Sequence, residues 1–187
     1  MFERVARLVL LPLASLCAAA APPPVATVPC ANVRLPQSIL DGISARPLSD
    51  PLPTIEVRAT QAALHLAVVD SEPDREFGLM CVTRLRSHAG MLFVFERDAN
   101  WEFWMKNTLI PLDMIWLERD GRVSALALNV PESTLETSDD AVARRTGHGR
   151  YVIELPAGEA LGDGLKVGRV LHLPRLPSTA PTKDLMR

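Results

Sequence analysis

Five polar or aromatic side chains near the middle of the chain have the chemistry needed to hold a small molecule. They are Arg75, Trp104, Lys106, Asn107 and Asp113. Two cations, one amide and one carboxylate could together bind an anionic or sugar-like ligand, with the Trp104 ring as a stacking surface beside Lys106. The same residues could equally be structural, because Asn and Asp tie down loop backbones and Arg75 could pair with Asp113 to stabilise the fold. The sequence leaves both interpretations open.

An enzymatic interpretation would make Lys106 or Asp113 the general acid or base. The chain contains no Gly-x-Ser-x-Gly, no phosphate-binding glycine-rich loop and no His-Glu-x-x-His, so no known catalytic motif supports it. Ser87 and His88 are adjacent, a spacing that rarely gives a productive nucleophile and base. We therefore expect a non-catalytic module that binds a small ligand or a partner. A small periplasmic enzyme of hydrolase or transferase type is the alternative.

Soft side chains suggest copper handling as a second alternative. The candidate ligands are Met80, Cys81, Met91, Met105 and Met114. They form no His-x-Met or Met-x-x-Met cluster, and methionines within apolar strand patterns usually pack the core. The histidines lack the spacing of metal ligands; they are His65, His88, His148 and His172. The sequence thus predicts neither a metal site nor a cofactor.

Residues 1–20 have the pattern of a cleaved signal peptide. Two arginines precede an apolar stretch from Leu8 to Cys17, and three consecutive alanines at 18–20 match the small-residue cleavage pattern. As a helix, this stretch would cover about 15 Å, half of a bilayer core, which favours an export signal over a membrane anchor. A lipoprotein would be processed at Cys17, but Leu16 is larger than the small residue preferred there. We expect a periplasmic or secreted protein.

Charge and composition exclude several classes of protein. The 187 residues include 20 basic and 22 acidic side chains, a net charge of −2, which becomes −3 once Glu3, Arg4 and Arg7 leave with the signal. A nucleic-acid-binding protein would normally show an excess of basic residues. The hydrophobic fraction of 48% is too high for a disordered chain. No apolar run reaches 18 residues, so we expect no stable membrane span after signal cleavage.

Prolines divide the rest of the chain into three segments. Residues 21–53 contain eight of the sixteen prolines and predict an extended or irregular arm. Residues 54–173 are long enough for a single domain with one core, and residues 174–187 predict a flexible tail. After cleavage two cysteines remain, Cys30 in the arm and Cys81 in the body. An oxidising compartment makes a disulfide possible, but the sequence leaves open a buried, unpaired Cys81 with Cys30 in a mobile arm.

Apolar patterns predict that the body consists mainly of strands. Apolar and polar residues alternate over 55–59 and 64–68, as in half-buried strands. Residues 91–95 are apolar throughout, which is typical of a strand covered on both faces. Further strands are predicted at 101–105, at 112–118 and 122–130 around the Asp120-Gly121 turn, at 151–155 and at 169–173.

One short helix has a clear start. Ser71 can cap it, Pro73 suits its first turn, and Asp74 occupies the capping-box position three residues after the cap. Residues 139–145 predict a further turn or two of helix. Because strands are not regularly interleaved with long helices, the pattern indicates a mainly β fold, a compact sandwich or barrel with one or two short helices.

Several blocks of the body resemble the domain of unknown function 192 family. They read REFGLM at 75–80, GMLFVF at 90–95, FWMKNTLIPLD at 103–113, YVIELPAG at 151–158 and Val167-Gly168. The resemblance implies a small, mostly β domain related to jelly-roll sandwiches and often exported from bacteria. The family has no established activity, cofactor or catalytic residue to carry over, so the partner is expected to be an unknown small molecule or envelope component.

Two features depart from the family pattern. Relatives often carry a cysteine between the hairpin and the Tyr151 strand, where this chain reads NVPESTL at 129–135, so a disulfide or metal site in that loop is not expected. Gly168-Arg169 also replaces the more usual glycine-aspartate.

Overall fold

The computed structural model describes residues 30, 36, 38–40 and 51–176. The predicted signal peptide lies outside these residues, as do most of the proline-rich arm and residues 177–187 of the predicted tail. Among the described residues, no helix combines the length and apolar character needed to cross a membrane.

The described part of the chain contains six strands in one mixed sheet. They are β1 (Thr54–Arg58), β2 (Ala63–Val69), β3 (Ala89–Trp104), β4 (Leu112–Leu117), β5 (Val123–Val130) and β6 (Arg144–Pro156). The spatial order is β1-β2-β3-β6-β4-β5, with β2 and β3 parallel and the other neighbours antiparallel. The prediction of a mainly β fold with short helices is confirmed, and the sheet is not closed into a barrel.

Strand β3 joins two strands that the sequence predicts separately, at 91–95 and 101–105. Its pairing with β6 shifts register between Val94 and Ala99, and the chain bends at this irregularity. The bend places the Phe95 and Trp101 rings in a stack with centroids 3.9 Å apart. The irregularity thus allows two aromatic side chains of one continuous strand to contact each other.

Two other predictions of secondary structure are wrong. Residues 139–145 form a turn and the start of β6 instead of a helix, since Arg144 and Arg145 pair with Trp104 and Phe103 of β3. Residues 169–173 form only an isolated bridge, between Val170 and Arg122. In both places contacts with distant strands, which local sequence does not encode, decide the conformation.

Apolar side chains cover both faces of the sheet. One cluster includes Met91 and Phe93 of β3, Trp116 of β4 and Val152 of β6. The other includes Leu92 of β3 and Ile153 of β6, which point to the opposite face. The alternation along β3 and β6 therefore divides the core into two layers around the sheet.

The two helices are short. Helix α1 spans Glu72–Phe77, and the Ser71 hydroxyl accepts a hydrogen bond from the Asp74 amide at 3.3 Å, which confirms the predicted cap. It ends at Gly78, which has a φ of 49°. Helix α2 spans Glu159–Gly162, directly after β6.

Part of the proline-rich arm packs against the body. Cys30 and Cys81 are joined by a disulfide, with their α-carbons 5.3 Å apart. Ile39 and Leu40 are fully buried, and Leu40 forms a bridge with Leu85. The hydrophobic core therefore includes residues of the arm as well as residues of the body.

Candidate functional site

Asp113 is a buried anchor between three parts of the chain. Its side chain is fully buried in β4. One carboxylate oxygen accepts the Asn129 amide at 2.8 Å, and the other accepts the amides of Gly158 and Ala160 at 2.9 and 3.0 Å. These bonds hold the end of β5 and the start of α2, so this environment is that of a structural carboxylate.

Lys106 and Asn107 lie in the turn that follows β3. The Lys106 ammonium forms an ion pair with Asp139, and its side chain is 16% exposed. Asn107 is buried with a φ of 51°, a left-handed conformation that Asn tolerates better than most residues, and its carbonyl accepts the Cys81 amide at 2.8 Å. Both residues thus support the turn and its neighbours.

Arg75 and Trp104 are the two predicted site residues that the structure brings together. Both line an open groove of about 270 Å³ between α1 and β3, which we call the aromatic groove. Its lining consists of Glu72, Arg75, Glu76, Phe93, Phe95, Trp101, Glu102, Phe103 and Trp104. Lys106, Asn107 and Asp113 are not among these residues, and the anticipated Arg75–Asp113 pair is not formed. The five predicted residues therefore do not make one site.

Contacts within the groove hold its side chains in place. The Arg75 guanidinium donates from Nη1 to the carbonyl oxygens of Asp70 and of Val94, the latter at 3.1 Å, and lies 5.1 Å from the centre of the Phe95 ring. Arg144 lies at the same distance from the Trp104 ring. Nη1 of Arg75 thus donates to the protein backbone, and the groove offers a ligand mainly aromatic surface.

Glu154 is a functional candidate that the sequence interpretation missed. It lies in β6, is 4% exposed, and borders a cavity of about 30 Å³ that we call the Glu154 cavity. Its carboxyl group forms no hydrogen bond or ion pair with the described residues. Burial raises the pKa of this carboxyl from 4.5 to about 8. Buried carboxyl groups are normally paired, so Glu154 is unusual among the polar residues of the core.

One signal in the sequence pointed to Glu154. Within the YVIEL run, Val152 and Glu154 are two residues apart and therefore share one face of the strand. The aromatic and methionine-rich layer of the core covers that face. This burial is visible only in the folded sheet.

A second polar cluster lies near α2. His88, Glu159 and Asp163 each place one potential ligand atom within 4.8 Å of the others, and one imidazole with two carboxylates is a donor set that suits Zn²⁺ or Mn²⁺. The groups already contact one another, with His88 Nδ1 2.8 Å from Asp163 Oδ1, and the His88 amide donating to Glu159 at 2.8 Å. Together these contacts connect the loop before β3 to α2.

The candidate copper ligands lie in the core. Met91, Met105 and Met114 are each at most 1% exposed within the layer that packs around Phe93. Cys81 is in the disulfide and has no thiolate to offer a metal. Their environment is that of packing residues.

Comparison with known sequences places the folded body in a family. The sequence profile of the domain of unknown function 192, described as uncharacterised ACR, matches residues 54–173. The chain belongs to this family. The match spans all six strands and both helices, so the aromatic groove and Glu154 lie within the domain of unknown function 192. A comparison with curated proteins found no match.

Two crystal structures are similar to this chain. A protein of unknown function from Novosphingobium aromaticivorans DSM 12444 is 27% identical with a TM-score of 0.55, and the alignment covers 68% of this chain and 90% of that one. A protein from Sinorhizobium meliloti 1021, provisionally described as a transcription regulator, is 27% identical with a TM-score of 0.54, covering 64% and 91%. Both likenesses support the fold of the body.

Proposed function

We propose that this protein is an exported, non-catalytic binding module that holds a small molecule of the cell envelope in the aromatic groove. The observation that carries the proposal is the groove itself, about 270 Å³ bordered by five aromatic side chains between α1 and β3. Concave, mainly apolar surfaces with a few polar groups are the usual form of small-molecule sites.

Two features support export. The first 20 residues have the pattern of a signal peptide, with basic residues before an apolar stretch. The Cys30–Cys81 disulfide is the kind of cross-link that persists in an oxidising compartment such as the periplasm.

Trp104 and Arg75 have different roles in the proposed site. Trp104 is half-buried and lines the groove, and Arg144 lies over one face of its ring, so a flat ligand would contact the remaining ring surface. Arg75 positions the groove wall, because it connects α1 to β3 through the carbonyl of Val94.

An enzyme built on Lys106 and Asp113 has less support. Asp113 is fully buried and accepts three backbone amides, which leaves its carboxylate without access for a substrate. Lys106 is paired with Asp139. The geometry therefore favours binding in the aromatic groove over acid–base chemistry at these residues.

A role in nucleic-acid binding also has little support here; one similar structure is provisionally described as a transcription regulator. The chain has more acidic than basic residues, 22 against 20, and three of the groove residues are glutamates. A phosphate backbone would be repelled by such a surface.

The test is a titration of the full mature chain with small aromatic alcohols and amines, monitored by tryptophan fluorescence and by thermal shift. Binding should quench the fluorescence and raise the melting temperature, because Trp101 and Trp104 border the groove. Trp104→Leu should weaken binding by roughly five- to thirtyfold, the loss of about 1–2 kcal/mol of aromatic contact.

The matched control is Leu128→Ala, which removes an exposed apolar side chain of β5 outside the groove. It should leave the affinity unchanged. The proposal fails if no compound binds the wild-type protein, or if Trp104→Leu binds as well as the wild type while remaining folded.

A further inference from the structure

We infer that the ligand of the aromatic groove is a primary organic ammonium ion, and that its charged group is received by Glu154. This inference rests on the proposed function, since it names the class of ligand for the same site. It depends on the position of Glu154, on the neighbouring cavity and on the charges around the groove.

The carboxyl group of Glu154 lies where a ligand could form a hydrogen bond or ion pair with it. On β6 it pairs with Met91 of β3 and Met114 of β4, so its strand neighbours are apolar. Its side chain is 4% exposed and borders the Glu154 cavity, and within the described part of the chain its carboxyl has no partner. With no donor from that part of the chain in reach, a ligand donor that enters the cavity would hydrogen-bond directly to this carboxyl.

The Glu154 cavity adjoins the aromatic groove. The two share five lining residues, Arg75, Glu76, Phe93, Phe103 and Trp104. A molecule stacked in the groove could therefore extend a substituent past Phe103 and Trp104 towards Glu154. The volume of about 30 Å³ admits a group the size of one water or one ammonium, and excludes a ring or a trimethylammonium.

The charges around the groove favour a cation. Glu72 and Glu76 form no ion pair with any other described residue, whereas Glu102 pairs with Arg144 at 3.0 Å. Arg75 is the one cation among the described residues that line the groove, and its guanidinium donates to two backbone carbonyl oxygens and lies beside the Phe95 ring, so the three glutamates outnumber it. Aromatic faces also attract cations. An anion would therefore meet an excess of carboxylates along the groove.

Proton linkage distinguishes the ammonium from a neutral ligand. The titratable groups that share the Glu154 cavity are Arg75 and Glu76 of α1; the remaining polar lining residue, Thr108, does not titrate. Because burial raises the pKa of Glu154 to about 8, the group is mostly protonated below that pH. An ammonium ion binds best to the ionised carboxylate, so its affinity should increase as the pH rises towards 8.

Calorimetric titration of the mature protein with 2-phenylethylamine and with 2-phenylethanol tests the inference. The two probes differ only in the terminal group, and an alkylammonium of this type stays protonated, as lysine does with a pKa of about 10.4. Since a group with a pKa of about 8 is half ionised at pH 8 and about 1% ionised at pH 6, the amine should bind roughly fiftyfold more tightly at pH 8, and the alcohol should show no such dependence.

Glu154→Gln should lose at least about tenfold in amine affinity at pH 8 and should lose the pH dependence. Glu132→Gln, which changes an exposed glutamate outside the groove, should retain both. Thermal melting of each variant establishes that it is folded.

Equal binding of amine and alcohol without pH dependence would overturn the inference and leave the proposed binding function intact. A Glu154→Gln protein that keeps the amine affinity would overturn it as well. If neither probe binds at pH 8, the result contradicts both the ammonium inference and the proposed binding function of the aromatic groove.

Discussion

Asp113 and Glu154 show how two buried carboxyl groups of one sheet acquire opposite properties. Asp113 accepts hydrogen bonds from three backbone amides, which take the place of water around its carboxyl group. Glu154 has no such donors and borders a cavity instead. At the scale of the residue, Asp113 therefore has a structural role and Glu154 is a candidate binding group because backbone donors surround the first carboxyl and not the second.

Burial of Glu154 makes the stability of the protein depend on pH. The folded-state pKa of about 8 lies above the ordinary value of 4.5, so between these values the unfolded chain loses the proton while the folded chain retains it. The free energy of unfolding should therefore fall by about 1.4 kcal/mol per pH unit through this window and become constant above it.

Glu154→Gln removes this titration and keeps the shape of the side chain. Urea unfolding at pH 5, 6.5 and 8 should show the wild type losing stability relative to the variant as pH rises, by about 4 kcal/mol in total. Parallel curves for the two proteins at all three pH values would show that Glu154 is not protonated in the fold.

At the scale of elements, the site depends on one bent strand and one short helix. Strand β3 supplies six of the nine groove residues because its bulge turns Phe95 and Trp101 towards each other. Gly90, at the start of β3, permits the close approach of β6, since a Cβ there would lie 1.9 Å from the Glu154 carbonyl oxygen. The backbone of β3 therefore sets both the groove and the position of Glu154.

Asp113→Asn should weaken the hydrogen bonds that connect β4 to the end of β5 and to the start of α2. An amide cannot accept on both sides, so at least one of the Asn129, Gly158 or Ala160 amides would lose its acceptor. We expect a loss of about 2–4 kcal/mol in the free energy of unfolding. Chemical denaturation measures it, and Asp140→Asn, at an exposed position, is the control that should change little. An unchanged stability for Asp113→Asn would show that its hydrogen bonds are not structural.

At the scale of the whole molecule, the disulfide attaches the arm to the body. Cys30 and Cys81 are 51 residues apart in sequence, and Ile39 and Leu40 between them are fully buried against the body. The arm thus completes one of the two core layers, the one that includes Phe93 and Trp116.

Loss of the cross-link should lower stability without abolishing the sheet. For a loop of this length, the chain-entropy estimate is about 4 kcal/mol. Cys30→Ser with Cys81→Ser, compared with the oxidised wild type by urea unfolding, measures the effect. Two reactive thiols in the unfolded, unreduced wild-type protein would contradict the disulfide itself.

Local patterns in the sequence were sufficient for much of the fold. Alternation over 55–59 and 64–68 predicted β1 and β2, and the Ser71 cap predicted the start of α1, because both signals arise from near neighbours in the chain. The mainly β class and the family followed from the same stretch of 120 residues. Charge and composition likewise depend on no contact between distant residues.

Only the tertiary structure decided how the polar residues are grouped. Asp113 and Trp104 are nine positions apart, yet the sheet directs Asp113 to the backbone of β5 and α2 and leaves Trp104 at the groove. Residues 139–145 became turn and strand because β3 was available as a partner. Glu154 is buried because β3, β6 and α1 meet around it, a condition set by long-range packing that the YVIEL run alone does not specify.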